Sequence, residues 1–178
     1  MKKDDNAIVL DYLPHGYPLE GKMRPVVQAV GESFFALLEL APVRGASISV
    51  KEKVYIGPDK RDKIYYIMGR LRKEKLTETA KIQLEEFVEK SVGEREKEYT
   101  DFFNNAQSIN TRLHQLELLP GFGKKHTMEI VEERKKKPFE SFEDIKARVK
   151  SIPDPKKAIE RRIIEEVLEN SRQRLFVK

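Results

Sequence analysis

The chain contains no cysteine, which excludes disulfides and thiolate metal sites and leaves nothing to argue for an oxidising compartment. It lacks any apolar run near the length that crosses a bilayer. The opening Met1-Lys2-Lys3-Asp4-Asp5 has no apolar segment of the secretory type, so the expectation is a cytoplasmic protein with no membrane partner. Histidines are few, and His15, His114 and His126 are scattered, which does not make a metal set. There is no Gly-x-Ser-x-Gly elbow, no Walker loop and no paired-glycine dinucleotide fingerprint. Asp154 with Glu160-Arg161-Arg162 loosely echoes metal-dependent nucleases, but two acids on a lysine-rich helix entry read first as solvated surface. No catalytic residue, metal ligand or cofactor site is therefore expected, and the chain reads as a non-enzyme.

What is abundant is charge. Charged residues make up 37% of the chain and the net charge is +5; the prominence of Lys and Glu fits a heat-adapted surface. Residues 51–75 hold 9 basic and 4 acidic side chains, and residues 120–178 hold 16 and 11, so each carries +5. Between them residues 76–119 carry −4, and residues 1–50 carry −1. A polyanion would be drawn to two separate basic segments; taken singly, each run also reads as an ordinary solvated face.

The most specific pattern is Leu118-Leu119-Pro120-Gly121-Phe122-Gly123-Lys124-Lys125. Phe102, Phe103, Ala106, Ile109, Leu113 and Leu116 precede it at helical spacing, and Met128 and Val131 follow. Pro120 stops the first helix. Gly121 and Gly123 permit positive φ and a close approach of backbone to a ligand. The second helix then begins with unpaired amides and its positive dipole end, a seat for an anion, and Lys124 and Lys125 add whole charges. The pattern resembles the helix-hairpin-helix motif of sequence-independent nucleic-acid binders. That resemblance implies that the amides of Gly121, Phe122 and Gly123 grip a backbone phosphate beside Lys124 and Lys125. A plain αα-hairpin with capping glycines is the alternative. His114 and His126 flank the loop and read as capping or phosphate-side residues.

Five short strands are expected before residue 75: around 8–13, 25–30, 33–40, 48–56 and 63–68. Gly31-Glu32 reads as a two-residue hairpin loop. Such a run suits a small OB-like barrel. Tyr55, Tyr65 and Tyr66 lie among Lys51, Lys53, Lys60, Arg61, Lys63, Arg70 and Arg72, where bases could stack on rings while cations meet phosphates. They could equally be core residues, and one of Tyr65 and Tyr66 should face inward.

After residue 75 the pattern is helical. Thr77 caps a helix bearing Ala80, Leu84, Phe87, Val88 and Val92 and ended by Gly93. A longer helix is expected from about 94 to 118. Ser141-Phe142-Glu143-Asp144 resembles a capping box, and a last helix follows Pro153-Asp154-Pro155. Ile152-Pro153 and Lys156-Lys157 echo Leu119-Pro120 and Lys124-Lys125 without the glycines. The expected organisation is α+β: an OB-like five-stranded barrel over 1–75 and an all-α domain over 76–178. The latter holds a hairpin at about 111–135 and a degenerate one at about 142–170.

Three stretches, Asp101–Ala106, Thr111–Lys125 and Pro138–Ile145, are similar to an archaeal family of unknown function described as predicted RNA-binding proteins, domain of unknown function 655. The resemblance implies a barrel followed by a helical hairpin domain and brings no established reaction or partner. The leading expectation is non-enzymatic, largely sequence-independent binding of RNA, or less favourably DNA, with Lys135, Lys136 and Lys137 adding attraction. The alternative is a protein-interaction adaptor in a ribosome-associated or DNA-repair assembly, and a nuclease is a third possibility.

Overall fold

The computed structural model describes residues 2–178 and is α+β, with five strands and five α-helices. Strands β1 (Asn6–Leu13), β2 (Val26–Gly31), β3 (Leu37–Pro42), β4 (Lys53–Tyr55) and β5 (Ile64–Arg70) form one sheet in the order β4-β1-β2-β3-β5. Every pairing is antiparallel. Register shifts between Val9 and Asp11 and at two places along β3 bend the strands and curl the sheet into a half-barrel. Its hollow side is filled by small and branched residues, among them Ala7, Val9, Val27, Ala29, Leu40 and Ile64.

β2 is buried on both faces. On its second face Gln28 donates to the Lys75 carbonyl at 2.7 Å and accepts from the Thr77 amide at 3.1 Å. A fully buried amide side chain is stable only when paired in this way. The same segment starts α1 (Glu78–Glu94). The Thr77 hydroxyl accepts from the Ala80 amide at 3.1 Å and donates to Asp11 at 2.6 Å, so the expected cap also ties the helix to β1.

Three strand expectations need correction. Ser33–Ala36 is a loop rather than strand: the Asp4 carboxylate accepts from the Ser33 amide at 2.6 Å and the Phe34 amide at 3.1 Å. Phe35 takes a φ of 60°, so a long-range acid, not a two-residue turn, shapes this hairpin. Ile48–Val50 is not strand either, because Lys51 sits at φ 74° in a turn closed by Glu52 N–H to Ser49 O. Third, Tyr65 and Tyr66 are both exposed, at 73% and 42%; β5 is a sheet edge, and neither face of its middle is covered.

The helices are α1, α2 (Glu96–Asn105), α3 (Lys124–Lys136), α4 (Phe142–Arg148) and α5 (Pro155–Leu168). The expected long helix to Leu118 is absent. α2 ends where the Asn104 side chain leaves the helix surface to bond Phe139, donating to its carbonyl at 2.9 Å and accepting from its amide at 2.7 Å. Beyond it the Gln115 and Asn110 side chains accept from the amides of Gln107 and Arg112 at 2.9 and 2.8 Å, in place of helical turns. A single 3-10 turn, Gln115–Leu118, leads into the loop.

The chain divides into two compact units. One unit runs through Glu86 and takes back Glu166–Lys178, and the other is Phe87–Glu165. In the first, buried Glu166 accepts from the amides of Leu175, Phe176 and Val177 at 2.7, 2.9 and 3.0 Å. No helix among the described residues is long and apolar enough to cross a membrane.

Candidate nucleic-acid interface

The glycine loop is built by its neighbours. Gly121 takes a φ of 81°, which an L side chain tolerates poorly, and a Cβ there would stand 3.0 Å from the Pro153 ring. Leu119 and Phe122 are buried on either side of it. The Phe122 ring lies 6.2 Å from Phe103 and 5.9 Å from His126 between centroids, and its amide donates to Leu119 O at 3.1 Å. Phe122 is therefore an anchor that holds the loop down, with neither ring nor amide available to a ligand.

Gly123 is the N-cap of α3 in extended backbone, and its amide donates to His126 Nδ1 at 3.2 Å. Of the expected donors, Gly121 remains open, joined by the amides of Lys124, Lys125 and His126, which have no partner among the described residues. The first turn of α3 holds no acid. α5 begins differently, with Asp154 Oδ1 accepting from the Lys157 amide at 3.1 Å. The loop before α5 thus carries its own negative cap, whereas the loop before α3 leaves its dipole end uncompensated.

Both loop lysines are exposed. Lys124 Nζ donates to the Arg112 carbonyl at 2.7 Å and lies 3.4 Å from Glu117, so its charge is partly neutralised. Lys125 has no ion pair among the described residues. His114 Nδ1 accepts from the Leu116 amide at 3.1 Å, while Glu117 accepts from the His114 amide at 2.8 Å. Burial, and then Arg134, hold His114 below its ordinary value. Both flanking histidines are caps.

Lys135, Lys136 and Lys137 lie at the far end of α3 and just beyond it, about 16 Å or more from Lys124 at 1.5 Å per residue, and do not join the loop. Lys136 pairs with Glu133 at 3.0 Å and Lys137 with Glu140 at 3.2 Å. Arg148, which no motif in the sequence marks, fixes that exit by donating to the carbonyls of Glu133 and Lys137 at 2.7 and 2.6 Å.

In the barrel unit, the expected basic residues are mostly engaged. Lys51 pairs with Glu86 at 3.2 Å, Lys53 with Glu32 at 2.6 Å, and Lys63 with Glu52. Such exposed pairs hold weakly and would yield to a polyanion. The Tyr55 hydroxyl accepts from the Asp59 amide at 3.2 Å and donates to its carboxylate at 3.3 Å, closing the turn rather than offering a ring. Arg61 Nε donates to Gly57 O at 2.8 Å. Tyr65 and Arg70 are exposed, and Tyr65 stands edge-on to Tyr66 at 5.4 Å. The described residues contain no group of three or more His, Cys, Asp or Glu able to hold a metal.

Comparison with known proteins agrees across nearly the whole chain. The family model described as "Protein of unknown function (DUF655)" matches residues 3–178. The uncharacterized protein MJ0038 of Methanocaldococcus jannaschii is 42% identical, over 99% of this chain and 81% of that protein. The crystal structure of Af1531 from Archaeoglobus fulgidus, a DUF655 protein, superposes with a TM-score of 0.85 at 48% identity, covering 98% of this chain and 100% of that one. The chain belongs to the DUF655 family of uncharacterised archaeal proteins.

Proposed function

We propose that the protein binds nucleic acid without catalysis and largely without regard to sequence, RNA in preference to DNA. In this reading the 3-10 turn, loop and α3 act as a helix-hairpin-helix. The half-barrel acts as an OB-like surface. The observation that carries it is the loop and first turn of α3, where four open amides, at Gly121 in the loop and at Lys124, Lys125 and His126, accompany two exposed lysines with no carboxylate in the first turn. Backbone donors of this kind suit phosphate oxygens of any sequence. Filter-binding titrations across a salt series test it. Replacing both Lys124 and Lys125 by Glu should lower affinity about tenfold or more and flatten the salt slope by about one unit for each phosphate no longer neutralised. Unchanged affinity would remove the hairpin from the site.

One observation favours a second reading, the protein-interaction adaptor. β5 presents Tyr65, Tyr66, Ile67 and Met68, all exposed, on a sheet edge, and unpaired edges recruit other chains. Binding by that edge would change little with salt, which separates the two readings.

A further inference from the structure

The sheet has no pairing between β4 and β5 among the described residues, and a hollow of about 510 Å³ lies in that gap. Leu38 of β3, Ile67 of β5 and Ile56 just after β4 give it an apolar floor, and Phe34 and Pro58 line it with rings. The rim is basic: Lys2, Lys3, Arg61 and Lys178 outnumber Asp4 and Asp5. Asp4 is already turned onto the Ser33 and Phe34 amides. Arg61 is steadied through Nε by Gly57 O, which leaves its two amino groups for another acceptor. Lys178 is held in place by its amide, which donates to Phe34 O at 3.2 Å, with its ammonium 5.4 Å from the Phe34 ring centre.

We propose that this hollow takes one unpaired nucleotide of a single strand, the base entering the apolar floor beside Phe34 and the phosphate meeting the lysine and arginine rim. The proposal rests on the nucleic-acid reading above and sharpens it by naming single-stranded chain as the substrate. The volume is in the range of sites for small organic ligands, about 300–1,000 Å³. An aliphatic chain would use the floor but not four cations, and an acidic peptide would use the cations but leave the floor empty. A flat heteroaromatic anion uses both. A base inside a duplex has its faces stacked and cannot enter.

Fluorescence anisotropy of the full chain with a labelled oligouridine of about twelve nucleotides, and with a fully paired RNA duplex of the same length, tests this. The wild type should prefer the single strand. Leu38→Trp, which fills the hollow, should lower single-strand affinity about tenfold and leave duplex affinity unchanged. Ile67→Trp does the same from an edge position, where the larger side chain does not threaten the fold. The double replacement of Lys124 and Lys125 by Glu should lower both affinities. If the wild type binds neither probe, the nucleic-acid reading itself fails. If it binds both and neither tryptophan variant alters single-strand affinity, the hollow alone is overturned. Photocrosslinking of 4-thiouridine in the strand to Phe34 or Pro58 supports the proposal, and adducts confined to other segments count against it.

Discussion

Replacing Glu166 by Ala removes the acceptor of three amides from a side chain with no solvent exposure. Hydrogen bonds to a charged group are worth about 1.5–3 kcal/mol each, so a tail that stayed docked would lose roughly 5–9 kcal/mol. The tail has an easier course, which is to let go and return its amides to water. Release forfeits the burial of Val177, worth about 1.5–3 kcal/mol, along with the Lys178 contacts to Phe34. The expected loss is therefore about 3 kcal/mol, or a melting point lower by roughly 6–12 °C for a chain of this size. Urea unfolding gives the first number, and hydrogen exchange at the amides of Leu175, Phe176 and Val177 reports the release. Glu166→Gln keeps one acceptor oxygen and should fall between. A wild-type midpoint with those amides still protected would refute the argument. Because Lys178 sits on the rim of the hollow, the same variant should also weaken single-strand binding.

Two further predictions concern the helical unit. Gly121→Ala should cost about 1–2 kcal/mol, from the positive φ and the 3.0 Å approach to Pro153; a melting point equal to wild type would show the loop relaxing freely. His114 is held below its ordinary value of 6.5 by burial and by Arg134, with Glu117 acting the other way. The folded state thus binds fewer protons than the unfolded chain just below that value. Its contribution is complete above about 6.5 and declines as pH falls through and below it. Urea midpoints between pH 5 and 7.5 should show the decline, and His114→Gln should flatten it.

The features legible in the sequence are those whose cause is local. Thr77 and Ser141 cap helices because a hydroxyl three residues before an amide is readable from order alone. Pro120 and Gly121 mark the loop for the same reason, and β1 and β2 follow from their branched residues. The misreadings share a different cause, a side chain whose partner is far along the chain. Asp4 acts on Phe34 from 30 residues away, Asn104 on Phe139 from 35, and Glu166 on the tail. Nothing in Ser33-Phe34-Phe35-Ala36 distinguishes strand from a loop pinned by Asp4. The donor set shifted likewise: the glycines stand where the pattern implies, but His126 occupies the amide of Gly123 and Leu119 that of Phe122. The basic rim of the hollow draws on both ends of the chain, so no window of neighbouring residues contains it.

The return of Glu166–Lys178 to the sheet unit makes the helical unit an insertion, entered along α1 and left along α5. During synthesis the strands emerge first yet wait for residues 166–178 to finish their surroundings, while the inserted unit, Phe87–Glu165, is made before those residues. A newly made chain should therefore mature from its middle outward, and the sheet is the part exposed to chaperones and proteases for longest.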